Sequence, residues 1–181
     1  MLNRSALQEA FFRQLHGDDA GAICGLLVVR ALRLRELELL LGHALVESLS
    51  DAVEARLRGL LRPDDELVRI GECDFGVVLP CLRERNHAAL AASKVARGLN
   101  GMLDVRGRPI RANVAVGAAS WPADADSFET LCLHADQACA AAAAGREHFA
   151  LFSGGGRSQL VEYNELHAAL AGNQLHLHLQ R

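Results

Sequence analysis

Arg69-Ile70-Gly71-Glu72-Cys73-Asp74-Phe75-Gly76-Val77-Val78-Leu79-Pro80 is the stretch whose reading decides the fold of this chain. Leu67–Ile70 is a strand-forming run that leads into Gly71, and a second apolar run, Phe75–Leu79, follows a short acidic turn. Apolar runs joined by a short Gly/Asp-type turn predict a β-hairpin over 67–79. Cys73 falls in that turn, where exposure is expected, and its flanking acids Glu72 and Asp74 raise a thiol pKa.

Outward from the hairpin the chain alternates helix and strand. Upstream, residues 2–16 read as an amphipathic helix carrying Leu7, Phe11, Phe12 and Leu15 on one face, broken by Gly17-Asp18-Asp19. Residues 21–29 are a continuous apolar run, the pattern of a central strand buried on both faces. Helical periodicity follows over 33–41 and 43–61, with Asp51, Glu54, Arg56 and Arg58 on the polar side and Pro63 closing the second helix.

Downstream, 84–101 predicts a helix, and 102–105 with 109–118 a second hairpin around Arg106-Gly107-Arg108. Trp121–Asp124 reads as a loop with Asp124 solvated, 127–144 as an Ala-rich helix with Ala140–Ala144 as its packing face, and 148–152 as a short strand. Ser153-Gly154-Gly155-Gly156-Arg157 has linker composition. Beyond it lie a helical pattern over about 159–171 and an alternating run, Leu175-His176-Leu177-His178-Leu179, that suits a half-buried strand. His176 and His178 are the one pair with metal-like spacing, and two ligands without a third make a weak site.

Composition narrows the class. At 181 residues the chain is long enough for one well-buried domain and an appendage. A net charge of −3 argues against a nucleic-acid binder. Five cysteines, an odd number with no Cys-x-x-Cys pair, predict neither a disulfide nor a zinc framework and place the chain in a reducing cytosol. No apolar run approaches the ~18 residues of a membrane span, so no membrane insertion is expected from this segment.

In order and spacing these motifs resemble the GGDEF family of diguanylate cyclases over about 2–152. The family's signature hairpin reads Arg-x-Gly-Gly-(Asp/Glu)-Glu-Phe, and its five signature positions here are Gly71, Glu72, Cys73, Asp74 and Phe75. Leu2-Asn3-Arg4 matches the end of the family's opening element, Gly42-His43 the start of its long helix, and Val116-Gly117-Ala118 its Ser-Ile-Gly-Val strand. His134–Ala138 and Gly145-Arg146 match its last helix. The resemblance implies an α/β fold with a central, mainly antiparallel sheet flanked by helices, as in nucleotide cyclases and polymerase palms. The tail over 160–180 resembles the lead-in to an EAL phosphodiesterase domain, which divides the chain into a GGDEF-like domain (1–152) and a linker with EAL lead-in (153–181).

The resemblance also implies where chemistry would sit. A cyclase joining two GTP molecules needs magnesium, which takes hard oxygen ligands. The two metal positions fall on Arg30 and Cys73, a cation and a soft thiol. A cation beside a divalent ion costs several kcal/mol even at an effective dielectric of about 20. The family's second Asp near the first strand falls on Leu32, its guanine-reading residues on Glu38 and Glu47, its second signature Gly on Glu72, and its phosphate-holding Lys within Ala140–Ala144. These replacements predict a degenerate, non-enzymatic domain without metal or cofactor. It would regulate by contact with an adjoining EAL domain, with upstream sensory domains or with a second copy of itself. Arg62-Pro63-Asp64-Asp65 matches the Arg-x-x-Asp site through which many GGDEF domains bind cyclic di-GMP. Arg62 and Asp65 are therefore candidate ligand residues, and a plain helix-ending turn is the alternative for them. Arg69 either assists there or pairs with Asp74 across the hairpin. A cyclic di-GMP receptor and an atypical active cyclase are the other functions the resemblance allows.

Overall fold

The computed structural model describes residues 3–15 and 23–154. The chain runs α1 (Arg4–Leu15), β1 (Ile23–Ala31), α2 (Leu34–Leu41), α3 (His43–Leu60), β2 (Glu66–Arg69) and β3 (Asp74–Leu82). It continues through α4 (Asn86–Leu99), β4 (Gly101–Val105), β5 (Arg108–Ala112), β6 (Val114–Trp121), α5 (Phe128–Ala144) and β7 (Phe149–Leu151). The EAL-like lead-in and the His176/His178 pair lie outside the described residues.

The apolar run after residue 22 becomes β1 at the centre of a five-stranded sheet ordered β2-β3-β1-β6-β7. All pairings are antiparallel except β6 with β7. Because side chains alternate across a strand, β1 feeds two cores. Leu27 and Val29 pack with Phe75, Val77 and Val116 beneath α3 and α4. Leu26 and Val28 pack with Val78 and Ala119 beneath α1 and α5. Burying each such side chain contributes roughly 1.5–3 kcal/mol, so a strand buried on both faces anchors both layers.

Two places in the sheet depend on having no side chain. A Cβ on Gly117 of β6 would stand 2.1 Å from the backbone nitrogen of Cys139 and 2.2 Å from the carbonyl oxygen of Ala135, so α5 lies directly on the strand. A Cβ on Gly76 of β3 would first meet the Leu7 side chain, at 2.6 Å.

The structure departs from the sequence expectations in particular ways. Strand β1 continues through Arg30 to Ala31, and β3 continues past Leu79 to Leu82. Pro80 is tolerated because β2 stops pairing at Val78 and the β1–β3 register shifts between Ile23 and Gly25. The segment expected as one strand over 109–118 divides at Asn113 into β5, which pairs only with β4, and β6, which joins the main sheet. Asn100 enforces the division: its side chain accepts from Val114 N at 2.9 Å and donates to Val114 O at 3.1 Å.

Ala140–Ala144 is not the packing face of α5. Only Ala142 of that run is buried, and Leu131, Ala135, Ala138 and Cys139 make the contact. Asp124 is not solvated either. Its side chain is 5% exposed, pairs with Arg85 at 2.7 Å and accepts from Ser120 N at 2.8 Å. Arg85 also donates to the carbonyl of Phe152, whose own N–H bonds Ala118 O at 2.7 Å while its ring stacks on His134 at 3.8 Å. The chain is thus tied down just after β7.

All five cysteines are unpaired, and four are buried. Burial pushes the thiols of Cys73, Cys132 and Cys139 up to about 11, and raises Cys24 as well. Thiol reagent applied to the folded protein near pH ~8 is expected to modify Cys81 alone, since reaction needs an accessible thiolate. Mass spectrometry of the labelled protein checks this; a second rapidly modified cysteine among residues 23–154 would contradict the burial described.

Candidate nucleotide site

The signature hairpin turn is closed by Ile70 N and Gly71 N, which both bond Asp74 O, at 2.9 and 3.1 Å. Its tip is tied to α3. Ser50 Oγ donates to Glu72 O at 2.6 Å, and Arg69 donates to Glu72 O at 2.7 Å and to Gly71 O at 3.3 Å. Arg69 also reaches Asp51 at 3.3 Å, so its expected pairing with Asp74 does not form. The same anchoring overturns the expected exposure of Cys73. With the Glu72 carbonyl drawn toward α3, the Cys73 side chain turns inward and is 2% exposed within the core beneath α3 and α4.

Asp74 is engaged from the other side. Arg30 stands opposite it in the β1–β3 register. The Arg30 Nε donates to Asp74 Oδ2 at 3.2 Å and its Nη2 to Asp136 Oδ1 of α5 at 3.1 Å. Burial works against the Arg30 charge, but Asp74, with smaller contributions from Cys139 and Asp136, outweighs it, and the guanidinium is held more firmly protonated than usual. These three side chains line a cavity of about 320 Å³ with Arg4, Cys132 and Leu133.

The guanidinium therefore bridges two carboxylates much as a divalent cation would. At the positions that the resemblance assigns to magnesium, Arg30 offers no oxygen and Cys73 a thiol sunk in the core. Neither side chain fits a magnesium ion.

A second cavity of about 630 Å³ lies between α2 and the hairpin tip, lined by Leu34, Arg35, Glu38, Leu39, His43 and Glu72. Of the two guanine-reading positions, Glu38 faces this cavity, whereas Glu47 is exposed and is not among the lining side chains. The structure brings in His43, which sequence spacing did not associate with any site. Its Nδ1 lies 3.3 Å from Glu38 Oε1 and 3.3 Å from Glu72 Oε1.

Arg62 and Asp65 are brought together where α3 ends. Asp65 Oδ2 accepts from Arg62 N at 2.8 Å, and Asp65 N donates to Arg62 O at 3.1 Å, a tight turn closed by the carboxylate. The residues thus form a turn, and among the described residues only one oxygen of Asp65 accepts a hydrogen bond. The exposed Arg62 side chain borders two cavities, of about 320 and 580 Å³, and Asp65 borders both with it.

The arrangement is a mainly antiparallel sheet between helical layers with an acidic hairpin at one end of its central strands. Residues 1–148 match the family described as "Diguanylate cyclase, GGDEF domain". The chain belongs to the GGDEF family. It is 30% identical over 144 residues to the bifunctional diguanylate cyclase/cyclic di-GMP phosphodiesterase MucR of Pseudomonas aeruginosa, a match covering 77% of this chain and 21% of that protein. It is 28% identical over 107 residues to the P. aeruginosa diguanylate cyclase TpbB, covering 59% of this chain and 25% of that one. The chain thus matches about a fifth to a quarter of the length of these curated relatives.

Among solved structures, the GGDEF domain of TpbB superposes with a TM-score of 0.78 at 22% identity, covering 87% of this chain and 93% of that one. An EAL/GGDEF domain protein from M. capsulatus superposes at 0.70 with 27% identity, covering 83% and 99%.

These relationships correct one expectation. Arg30 and Cys73 led to a non-enzyme, but the family is that of diguanylate cyclases and the relatives bear that name, so the affiliation points to enzymatic activity. Among the described residues, no helix is long and apolar enough to cross a membrane.

Proposed function

We propose that this chain is a cytoplasmic GGDEF domain that binds cyclic di-GMP through Arg62 and Asp65 and passes that binding to a neighbouring unit, an adjoining EAL domain or a second copy of itself. One observation carries the reading: among the described residues the Arg62 guanidinium has no ion-pair or hydrogen-bond partner, and it sits beside Asp65 at the rim of two cavities. A guanidinium suits a phosphate or the Hoogsteen edge of guanine, and the remaining oxygen of Asp65 suits guanine N1 and N2 donors. The turn joins α3, whose other half holds the hairpin tip through Ser50 and Asp51. A ligand at Arg62 that prefers one placement of α3 would shift the hairpin with it. The boundary between the GGDEF-like part (1–152) and an EAL lead-in (153–181) belongs to this proposal.

Calorimetry with cyclic di-GMP tests it. A saturable heat is expected, weakened about 10- to 100-fold in Arg62→Ala, as for loss of a charge-assisted hydrogen bond worth roughly 1.5–3 kcal/mol. Absence of heat in the parent protein would end the reading.

A second reading, favoured by the family and the relatives' names, is catalysis as an atypical diguanylate cyclase. Arg4 and Arg30 would supply positive charge to triphosphate in the cavity they share with Asp74 and Asp136. Turnover of GTP to cyclic di-GMP, lost in Arg30→Ala, would support it; no turnover by the full chain would remove it.

A further inference from the structure

We propose that Glu38, His43 and Glu72 form a binding site for a zinc-like transition-metal dication, apart from the Arg30 cavity and from Arg62. The ligand atoms converge from three elements: the body of α2, the first residue of α3 and the hairpin tip. They lie within 4.8 Å of one another, with His43 Nδ1 at 3.3 Å from one oxygen of each carboxylate. Zinc bonds of about 2.0–2.2 Å place tetrahedral ligands roughly 3.4 Å apart, so both imidazole–carboxylate edges already have metal-centre length.

The backbone beneath each ligand is fixed. Gly42, at φ 84°, accommodates the sharp turn between α2 and α3 that sets His43 beside Glu38, and its N–H bonds Glu38 O at 2.8 Å. Glu72 is fixed through its carbonyl by Ser50 and Arg69. One imidazole with two carboxylates favours zinc over magnesium, because imidazole is a poor ligand for the harder ion. Three protein ligands leave a fourth position open to the adjoining cavity of about 630 Å³. Arg35 lines the same cavity and is the positive charge that weakens binding. Two carboxylates and a neutral imidazole balance a dication, and the bound ion would fasten α2 to the hairpin tip.

Titration of the metal-free full chain with zinc chloride, followed by calorimetry, tests the site. One saturable equivalent is expected, retained in Cys81→Ser and weakened at least about tenfold in both His43→Ala and Glu72→Gln. Cobalt(II) should give tetrahedral visible bands without thiolate charge-transfer absorption. No saturable binding, binding unaltered by His43→Ala, or thiolate absorption with cobalt would each overturn the proposal. Circular dichroism of the variants guards against unfolding, and Glu72→Asp should restore part of the affinity.

Discussion

Gly117→Ala is expected to be the most damaging glycine-to-alanine change among the described residues. The new Cβ would lie 2.1–2.2 Å from backbone atoms of Cys139 and Ala135, and backbone cannot step aside by changing rotamer. Helix α5 would have to lift from β6, loosening Leu131, Ala135 and Cys139 from the core they share with α1. Overpacking typically costs about 1–3 kcal/mol, and a clash with main chain belongs at or above the upper end. Gly76→Ala supplies the internal control. Its Cβ meets the flexible end of Leu7, so a loss nearer ~1 kcal/mol is expected. Denaturant unfolding of both variants decides the matter: equal losses would mean that α5 does not lie on β6 as described.

Arg30→Asp is expected to destabilise the domain by about 3 kcal/mol and make its stability respond to magnesium or calcium. The substitution removes both ion pairs and sets a third carboxylate beside Asp74 and Asp136. Unit charges about 4 Å apart at an effective dielectric of ~20 interact by roughly 4 kcal/mol. These side chains are about a third exposed (38, 33 and 31%), so screening by solvent reduces that figure. Three converging carboxylates then offer the oxygen ligands that magnesium or calcium takes. At an ion concentration ten times a ~1 mM Kd, the folded state gains about 1.4 kcal/mol, roughly 3–6 °C in melting temperature for a chain of this size. The parent should show no comparable rise. A parent that gains equally would mean the guanidinium is not filling the cation's place.

Much of the fold was legible because hydrophobic period is a local property. The run after residue 21 is apolar at every position and proved to be the strand buried on both faces. The 3.6-residue patterns over 33–41 and 43–61 became α2 and α3 almost to the residue. What escaped depended on partners distant in sequence. The division at Asn113 follows from a clamp by Asn100, which nothing in the run 109–118 announces. The burial of Cys73 follows from Ser50 and Arg69 pulling on the neighbouring peptide, and the burial of Asp124 from Arg85.

The candidate sites divide the same way. Arg62 and Asp65 were readable because both lie within one turn. Arg30 was readable as a position, but its bridge to Asp136, 106 residues along, needed the fold. His43 was invisible as a ligand because its two companions belong to other elements.

The clamp on Phe152 makes the end of β7 a fixed pivot. Phe152 is hydrogen-bonded to β6 and to Arg85, and its ring is stacked on that of His134. A shift of β6 would therefore carry the backbone at Phe152 with it.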